Sequence, residues 1–430
     1  MNVRALLGCL LIGLHLSAIG AARADELAGY WSGTWTKAGD SLAVTVAFEH
    51  VNDRYAGTFD SDALQVADVA FGDVRVTKAR VRFSFAGDTA PVIFDGTLAG
   101  DALAGTFTEG KVAGTFQLAR AAAPAKILKR EVTFANGDVT LAGELLLPEG
   151  PGRHAALVVL HDAGAEGREA SHYLAKKFAA QGFVTLSHDK RGVGKSTGDW
   201  RQSSVEDFAD DAVAAVRFLQ TQPEVDPTNI GVYGQGRGGS ISPLVAVGEP
   251  TLGFIIAAAA CGLDPAEAEV FSIENAIGLS ELPDTEREDA RRFVRAIVDV
   301  VYRGKSRDTL DTMAKEFGTR VWYFTPPPPG DPYWALSKWG AAYRPLDYWR
   351  QVRVPVMLVF GTHDERVPPV RSADAIVAAL KSTGNTSVTL KMFANADHAF
   401  KTVPQTSADG WAKYAPEYAG TLVNWARAQD

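Results

Sequence analysis

Two regimes of hydrophobic patterning divide the chain. From about residue 25 to residue 121, apolar and polar positions alternate, as in Leu42-Ala43-Val44-Thr45-Val46-Ala47-Phe48 and Arg80-Val81-Arg82-Phe83-Ser84-Phe85. Alternation turns one face of a strand to a core and the other to water. A Gly-Thr-Phe or Gly-Thr-Leu unit recurs at Gly57, Gly96, Gly105 and Gly114. Short strands parted by Gly and Asp turns predict an all-β meander over residues 25–121, closed as a small barrel or sandwich.

Past a linker at residues 122–127, the period changes. A hairpin is expected first, with strands at residues 131–135 and 139–147 around an Asn136-Gly137 turn. Nearly continuous apolar strands then alternate with amphipathic helices. Strands are expected at residues 154–160, 183–187, 230–233, 252–259, 354–360 and 387–392, and a helix at 170–181. Ser203 and Glu206 form a capping-box pattern before the apolar helical stripe Val205, Phe208, Ala209, Ala212, Val216 and Leu219. This alternation predicts a mostly parallel sheet with helices on both faces, over residues 128–430. It is interrupted at about residues 262–349, first helical and charged, then rich in aromatics: Trp322, Tyr323, Phe324, Tyr333, Trp334, Trp339, Tyr343, Tyr348 and Trp349. An insertion there is expected to lie as a lid above the carboxyl ends of the strands. Its aromatics either line an apolar pocket or form the lid's own core.

Composition adds limits. The 430 residues exceed one typical domain, and the net charge of −8 argues against nucleic acid as a partner. Residues 1–24 have the form of an export signal: Arg4, an apolar run to Ile19, and an Ala22-Arg23-Ala24 cleavage pattern. A periplasmic or extracellular location follows as an expectation, with no membrane span after cleavage. Cys261 would then be the one cysteine of the mature chain, which rules out an internal disulfide. No zinc-type metal motif is present, and no cofactor is expected.

The chemistry concentrates at strand ends. The turn Gly231-Val232-Tyr233-Gly234-Gln235-Gly236-Arg237-Gly238-Gly239-Ser240 follows an apolar strand and enters a small-residue helix. It has the flanking glycines of the nucleophile elbow G-x-S-x-G, but Gly236 stands at the nucleophile position. Downstream, Asp364 and His398 each follow a predicted strand, in the chain order acid then base. Both side chains are therefore placed where they can converge on one pocket, with Glu365 and Asp397 as rival carboxylates. The backbone N–H of Arg237 and the loop holding Asp162 and Ala163 are the expected oxyanion donors. A carboxylate at Asp162 would oppose an oxyanion there. Ser240, four residues beyond Gly236, is a substitute nucleophile whose hydroxyl competes with bonding to the preceding turn. The segment Gly192-Val193-Gly194-Lys195-Ser196-Thr197 has Asp189 where a nucleotide-binding P-loop needs glycine, and no helix follows. Nucleotide binding is not expected.

From about residue 127 onward the chain resembles secreted bacterial α/β-hydrolases of the serine esterase and serine-aminopeptidase-like group. The resemblance lies in His188-Asp189-Lys190-Arg191-Gly192-Val193-Gly194-Lys195-Ser196-Thr197-Gly198-Asp199, in Phe208-Ala209-Asp210-Asp211-Ala212, in Pro223-Glu224-Val225-Asp226-Pro227, and in the elbow with Ile241-Ser242-Pro243. It implies an α/β-hydrolase fold, acid and base roles for Asp364 and His398, and a small ester-like or apolar ligand. The departures cluster at the site. The group has His-Ser where this chain has Gln235-Gly236, and Gly where this chain has Asp162. Two consequences remain open from sequence: serine-type hydrolysis is lost or strongly reduced, or a hydrolase of esters, lactones or thioesters acts through His398-activated water or Ser240. A third reading places the function in ligand or partner binding by the β domain.

Overall fold

The computed structural model describes residues 26–87, 90–328, 342–402 and 410–429. The expected export segment at 1–24 and the aromatics Tyr333, Trp334 and Trp339 lie outside the described residues. The chain divides into two compact units, the first built mainly from residues before 124 and the second from those after it.

Nine strands form the first unit's sheet: β1 (Gly29–Lys37), β2 (Asp40–Val51), β3 (Arg54–Ser61), β4 (Val66–Ala70), β5 (Arg75–Thr77), β6 (Arg80–Ala86), β7 (Pro91–Ala99), β8 (Ala102–Glu109) and β9 (Val112–Ala121). Their order is β4-β3-β2-β1-β9-β8-β7-β6-β5, and every pairing is antiparallel. The sheet's two ends meet just after β4. There Phe71 N–H donates to Gly57 O of β3 and Gly72 N–H donates to Ser84 O of β6. The alternating apolar positions fill the interior with stacked rings; Trp35 lies 4.6 Å from Phe94 and 4.8 Å from Phe59 between centroids. The recurring Gly-Thr units have a packing reason. A Cβ on Gly105 would come within 2.1 Å of Asp95 O, and one on Gly114 within 2.3 Å of the Phe107 ring.

The second unit has an eight-stranded sheet: β10 (Ile127–Asn136), β11 (Val139–Pro148), β12 (His154–Leu160), β13 (Val184–His188), β14 (Val225–Gln235), β15 (Phe254–Ala258), β16 (Val356–Gly361) and β17 (Val388–Phe393). The order is β10-β11-β13-β12-β14-β15-β16-β17. β10, β11 and β13 pair antiparallel, and all other neighbours are parallel. The inner parallel strands read as apolar runs because both faces are covered: Val158, Val232, Ile255 and Leu358 are all fully buried, whereas the edge strand β17 alternates and is largely exposed. This is the mostly parallel sheet expected from the strand and helix alternation, and the α/β-hydrolase fold that the resemblance implies. The order reverses at β13-β12-β14, so a crevice is expected beyond the carboxyl ends of β12 and β14.

Several local details differ from the sequence reading. Asn136 pairs with Val139, so the hairpin turns through Gly137 and Asp138, while the Asn136 side chain donates to Asp211 Oδ1 at 2.8 Å. Ser204 and Asp207 make the capping box, one residue later than expected. Ser203 is diverted because its hydroxyl donates to Asp199 O at 2.8 Å. The insertion between β15 and β16 carries helices Pro265–Leu279, Asp284–Arg303 and Asp308–Phe317, then a short turn of helix at Pro345–Trp349. Trp322 and Tyr323 pack on the insertion's own core around Phe293 and Phe317, whereas Trp349 and Tyr343 join the core of the sheet.

Asp189 anchors the turn after β13. Its carboxylate accepts from Arg168 Nε at 3.1 Å and Nη2 at 2.9 Å, and from the Lys195 N–H at 2.9 Å. The residue that breaks the P-loop pattern is therefore the one that holds this loop. Burial opposes the Asp189 charge, but these donors outweigh it and hold the carboxyl down to about 2. Removing one partner of a buried ion pair costs about 3–5 kcal/mol. Asp189→Asn is expected to destabilise the second unit by an amount in that range, read by urea unfolding at neutral pH. A depressed carboxyl pKa contributes stability above about pH 4 that is lost on acidification. The gap between wild type and variant should therefore narrow as pH falls toward about 2. A gap that stays constant would contradict the assignment.

Candidate active site

β14 ends at Gln235 and a helix begins at Arg237, with Gly236 between them at φ 54° and ψ −113°. Residues with a Cβ rarely adopt that conformation, and strain of this kind costs about 1–3 kcal/mol. The turn is also tight: a Cβ on Gly234 would lie 2.2 Å from the Gly238 carbonyl carbon. Gly236 N–H is fixed by Ala258 O of β15 at 2.9 Å. The geometry is that of a nucleophile elbow, with no side chain at its apex.

The space that side chain would enter is filled by Asp162. A Cβ built on Gly236 would lie 2.3 Å from Asp162 Oδ1, 2.7 Å from its Cγ and 2.9 Å from its Oδ2. Arg237 N–H, the expected oxyanion donor, donates to Asp162 Oδ1 at 2.8 Å. So the carboxylate from the loop after β12 takes both the space a side chain at 236 would enter and the donor expected for an oxyanion. The loop's own donor is engaged as well, since Asp162 N–H donates to Glu166 Oε2 at 2.7 Å. Ala163 borders the same cavity.

Two residues that sequence reasoning missed hold this loop. Lys190 Nζ donates to the carbonyl oxygens of Asp162 and Gly164. Burial is the main reason its pKa falls to about 8. Glu166 is pushed upward by burial, against the Asp162 N–H and Lys190, which favour its charge. The only signal for them was their presence in segments flanking β12 and β13.

The expected base and acid come from the next strand ends. Asp364 follows β16 and His398 follows β17, and both are buried. His398 Nδ1 lies 2.9 Å from Asp364 Oδ2 and 3.0 Å from Oδ1. The N–H groups of Arg366 and Val367 donate to Asp364 Oδ1 at 2.9 and 2.8 Å, which orients the carboxylate. The rivals are used elsewhere: Glu365 accepts from His398 N–H at 3.2 Å, and Asp397 from Lys401 N–H at 2.7 Å. Burial disfavours charge on His398. The hydrogen bond and charge of Asp364 outweigh this, the charge of Asp162 adds to them, and Arg366 opposes; the net direction is upward. With Nδ1 engaged, Nε2 is the ring nitrogen left to act as a base.

Ser240 is held in the scaffold. Its hydroxyl donates to Gly236 O at 2.9 Å and accepts Cys261 N–H at 3.0 Å. Asp162, Gly236, Arg237, Ser240 and His398 all border one cavity of about 500 Å³. Its apolar wall includes Phe208, Ile241, Leu263 and Val367, and Tyr302 and Tyr343 from the insertion border it too. Among the described residues no group of three or more His, Cys, Asp or Glu is arranged to hold a metal ion. Nor is any described helix long and apolar enough to cross a membrane.

Known proteins match in segments. Residues 152–282 match the family described as serine aminopeptidase, S33, and residues 302–419 match the prolyl oligopeptidase family. The Pseudomonas aeruginosa protein PA2218 is 41% identical over 128 residues, 29% of this chain and 34% of that protein. The thiohydrolase aneE of Aspergillus aculeatus is 35% identical over 116 residues, 26% of this chain and 35% of that protein. The quorum-quenching protein AidA of Acinetobacter baumannii is 26% identical over 127 residues, 29% of this chain and 42% of that protein. The matched stretches thus span 34–42% of these curated relatives. Among solved structures, the Pyrococcus furiosus esterase Pf2001 covers 70% of this chain and 91% of its own at 18% identity and a TM-score of 0.46. The segment matches, with the sheet order above, support an α/β-hydrolase family for the second unit.

Two outcomes follow from the geometry. Gly236→Ala should destabilise the protein by about 1–3 kcal/mol from backbone strain, plus the contact with Asp162. Adding Asp162→Gly should recover the contact part and leave the strain, as a double-mutant cycle in urea would read. Strictly additive effects would place the carboxylate elsewhere. Titration of His398 by NMR should give a pKa above that of a free imidazole, lowered by Asp162→Asn and lowered further by Asp364→Asn. No response to Asp162→Asn would remove that residue from the site.

Proposed function

We propose that the second unit binds a small ester-like or apolar molecule in the cavity beside His398 and has lost serine-type ester hydrolysis. One observation carries this reading: the Asp162 carboxylate lies where a side chain at position 236 would project, and it holds the Arg237 N–H. Serine-type acyl transfer needs an attacking oxygen, a base, and donors for the oxyanion. The base and its orienting acid are in place for that task, but the attacking oxygen is missing and the Arg237 N–H is already held by a carboxylate. A negative charge in the oxyanion site opposes the charge that develops on an ester carbonyl. Ser240 does not replace the missing atom, because its proton is committed to Gly236 O.

The cavity supports retained binding. Its volume of about 500 Å³ falls within the range of small-molecule sites, and its walls are largely apolar with a few convergent polar groups. The export pattern at residues 1–24 supports a location of this binding outside the cytoplasm.

The test restores the missing parts. Gly236→Ser alone meets the Asp162 carboxylate, so the informative variant is Gly236→Ser with Asp162→Gly. Wild type should neither hydrolyse short aryl esters nor react with a fluorophosphonate probe. The double variant should label at position 236 and gain esterase activity of at least about 10²-fold over wild type, lost again on adding His398→Ala. Wild-type esterase activity that labels a serine would contradict the reading.

A further inference from the structure

Asp162 is too well placed to be only an obstruction. Oδ1 is held by Arg237 N–H at 2.8 Å, whereas Oδ2 accepts no hydrogen bond among the described residues. Gly236 has no Cβ to crowd it, and the carboxylate borders the cavity together with His398. The loop that presents it is fixed from two sides, by Lys190 on its carbonyl oxygens and by Glu166 on its N–H. A carboxylate with one oxygen anchored and the other free has the form of a nucleophile. It also shares its cavity with His398, whose pairing with Asp364 suits it to activate water for a second step.

Carboxylates suit some electrophiles and not others. Attack on an ester carbonyl would have to expel a far more basic alkoxide, with the oxyanion donor already bound to the attacking group. Attack on a saturated carbon bearing a good leaving group has neither difficulty, because no oxyanion forms in that step. We propose that Asp162 is a nucleophile toward alkyl halides, converting them to alcohols through an alkyl ester of its own side chain. This rests on the reading that serine chemistry is absent from the site.

The steps balance. Oδ2 attacks the carbon of R–X, the C–O bond forms as the C–X bond breaks, and X⁻ leaves with the bonding pair into a cavity bordered by Arg237 and Arg366. Asp162 is then an ester whose carbonyl oxygen is Oδ1. Water gives a proton to His398 Nε2 and adds to Asp162 Cγ. Charge now collects on Oδ1, which already accepts the Arg237 N–H, so the donor does serve an oxyanion, that of the enzyme's own ester. Collapse expels the alkoxide, which takes the proton from His398. The regenerated carboxyl group ionises to solvent, and the sum is R–X plus water giving ROH, H⁺ and X⁻. Asp364 stabilises the imidazolium between the two proton transfers. The glycine at 236 is needed by this chemistry, since any side chain there would displace the nucleophile.

The experiment uses the full-length protein and 1-bromohexane. Wild type should release bromide catalytically, and Asp162→Asn, shown by circular dichroism and thermal melting to be folded, should lower that rate by at least about 10³-fold. His398→Gln should arrest the second step and accumulate a hexyl adduct, which peptide mass analysis places on Asp162. In heavy-oxygen water, single turnover by wild type should carry the label into the Asp162 side chain. Bromide release without an adduct or label at Asp162 would overturn the proposal, as would release no faster than in Asp162→Asn. A terminal epoxide of equal length runs in parallel; labelling by the epoxide alone would overturn the halide assignment. The fluorophosphonate experiment reads the loss of serine chemistry independently, so failure of either idea is seen separately.

Discussion

The hydrogen bond from the Arg237 N–H to the Asp162 carboxylate decides what this site can do. It joins the loop after β12 to the first residue of the helix after β14, across the point where the sheet reverses its order. A serine-type site keeps that donor free until charge develops on substrate. Here it is engaged in the resting protein by a negative group, and the elbow has no Cβ at the apex to push that group away. Gly236 and Asp162 are therefore one feature: each makes room for, or sense of, the other.

The fold supplies the precision this feature needs. Parallel strands, buried except for the edge strand β17, deliver Asp162, Gly236, Asp364 and His398 to one end of the sheet, each on a short loop. Charged pairs lock those loops. Arg168 and Asp189 hold the turn after β13, from which Lys190 reaches back to the carbonyls of Asp162 and Gly164. Buried pairs of this kind are a weak source of net stability, but losing one partner is costly. Their value here is positional, since they fix the backbone that aims the Asp162 carboxylate. The acid and base are held separately by the loops after β16 and β17.

Much of this was legible along the chain. The change from alternating to continuous apolar runs separated the two units, because strands buried on one face and on both faces differ in period. Asp364 and His398 could be singled out because each follows a predicted strand, in the order acid then base. The elbow was visible because its glycines are demanded by backbone crowding. What sequence could not give was direction. Asp162 was readable as a residue opposed to an oxyanion, but its entry into the space above Gly236 depends on Lys190, 28 residues away, and on Glu166. The capping box moved by one residue because Ser203 found a tertiary partner in Asp199. The aromatics of the insertion were ambiguous for the same reason: Trp322 and Tyr323 serve its own core, while Tyr343 borders the cavity.

The engagement of the oxyanion donor by Asp162 is the central claim, and the amide proton of Arg237 reports on it most directly. Held by a carboxylate, that proton should resonate well downfield in the NMR spectrum of the wild type and move upfield in Asp162→Ala. An Arg237 amide whose shift is the same in wild type and Asp162→Ala would contradict the account.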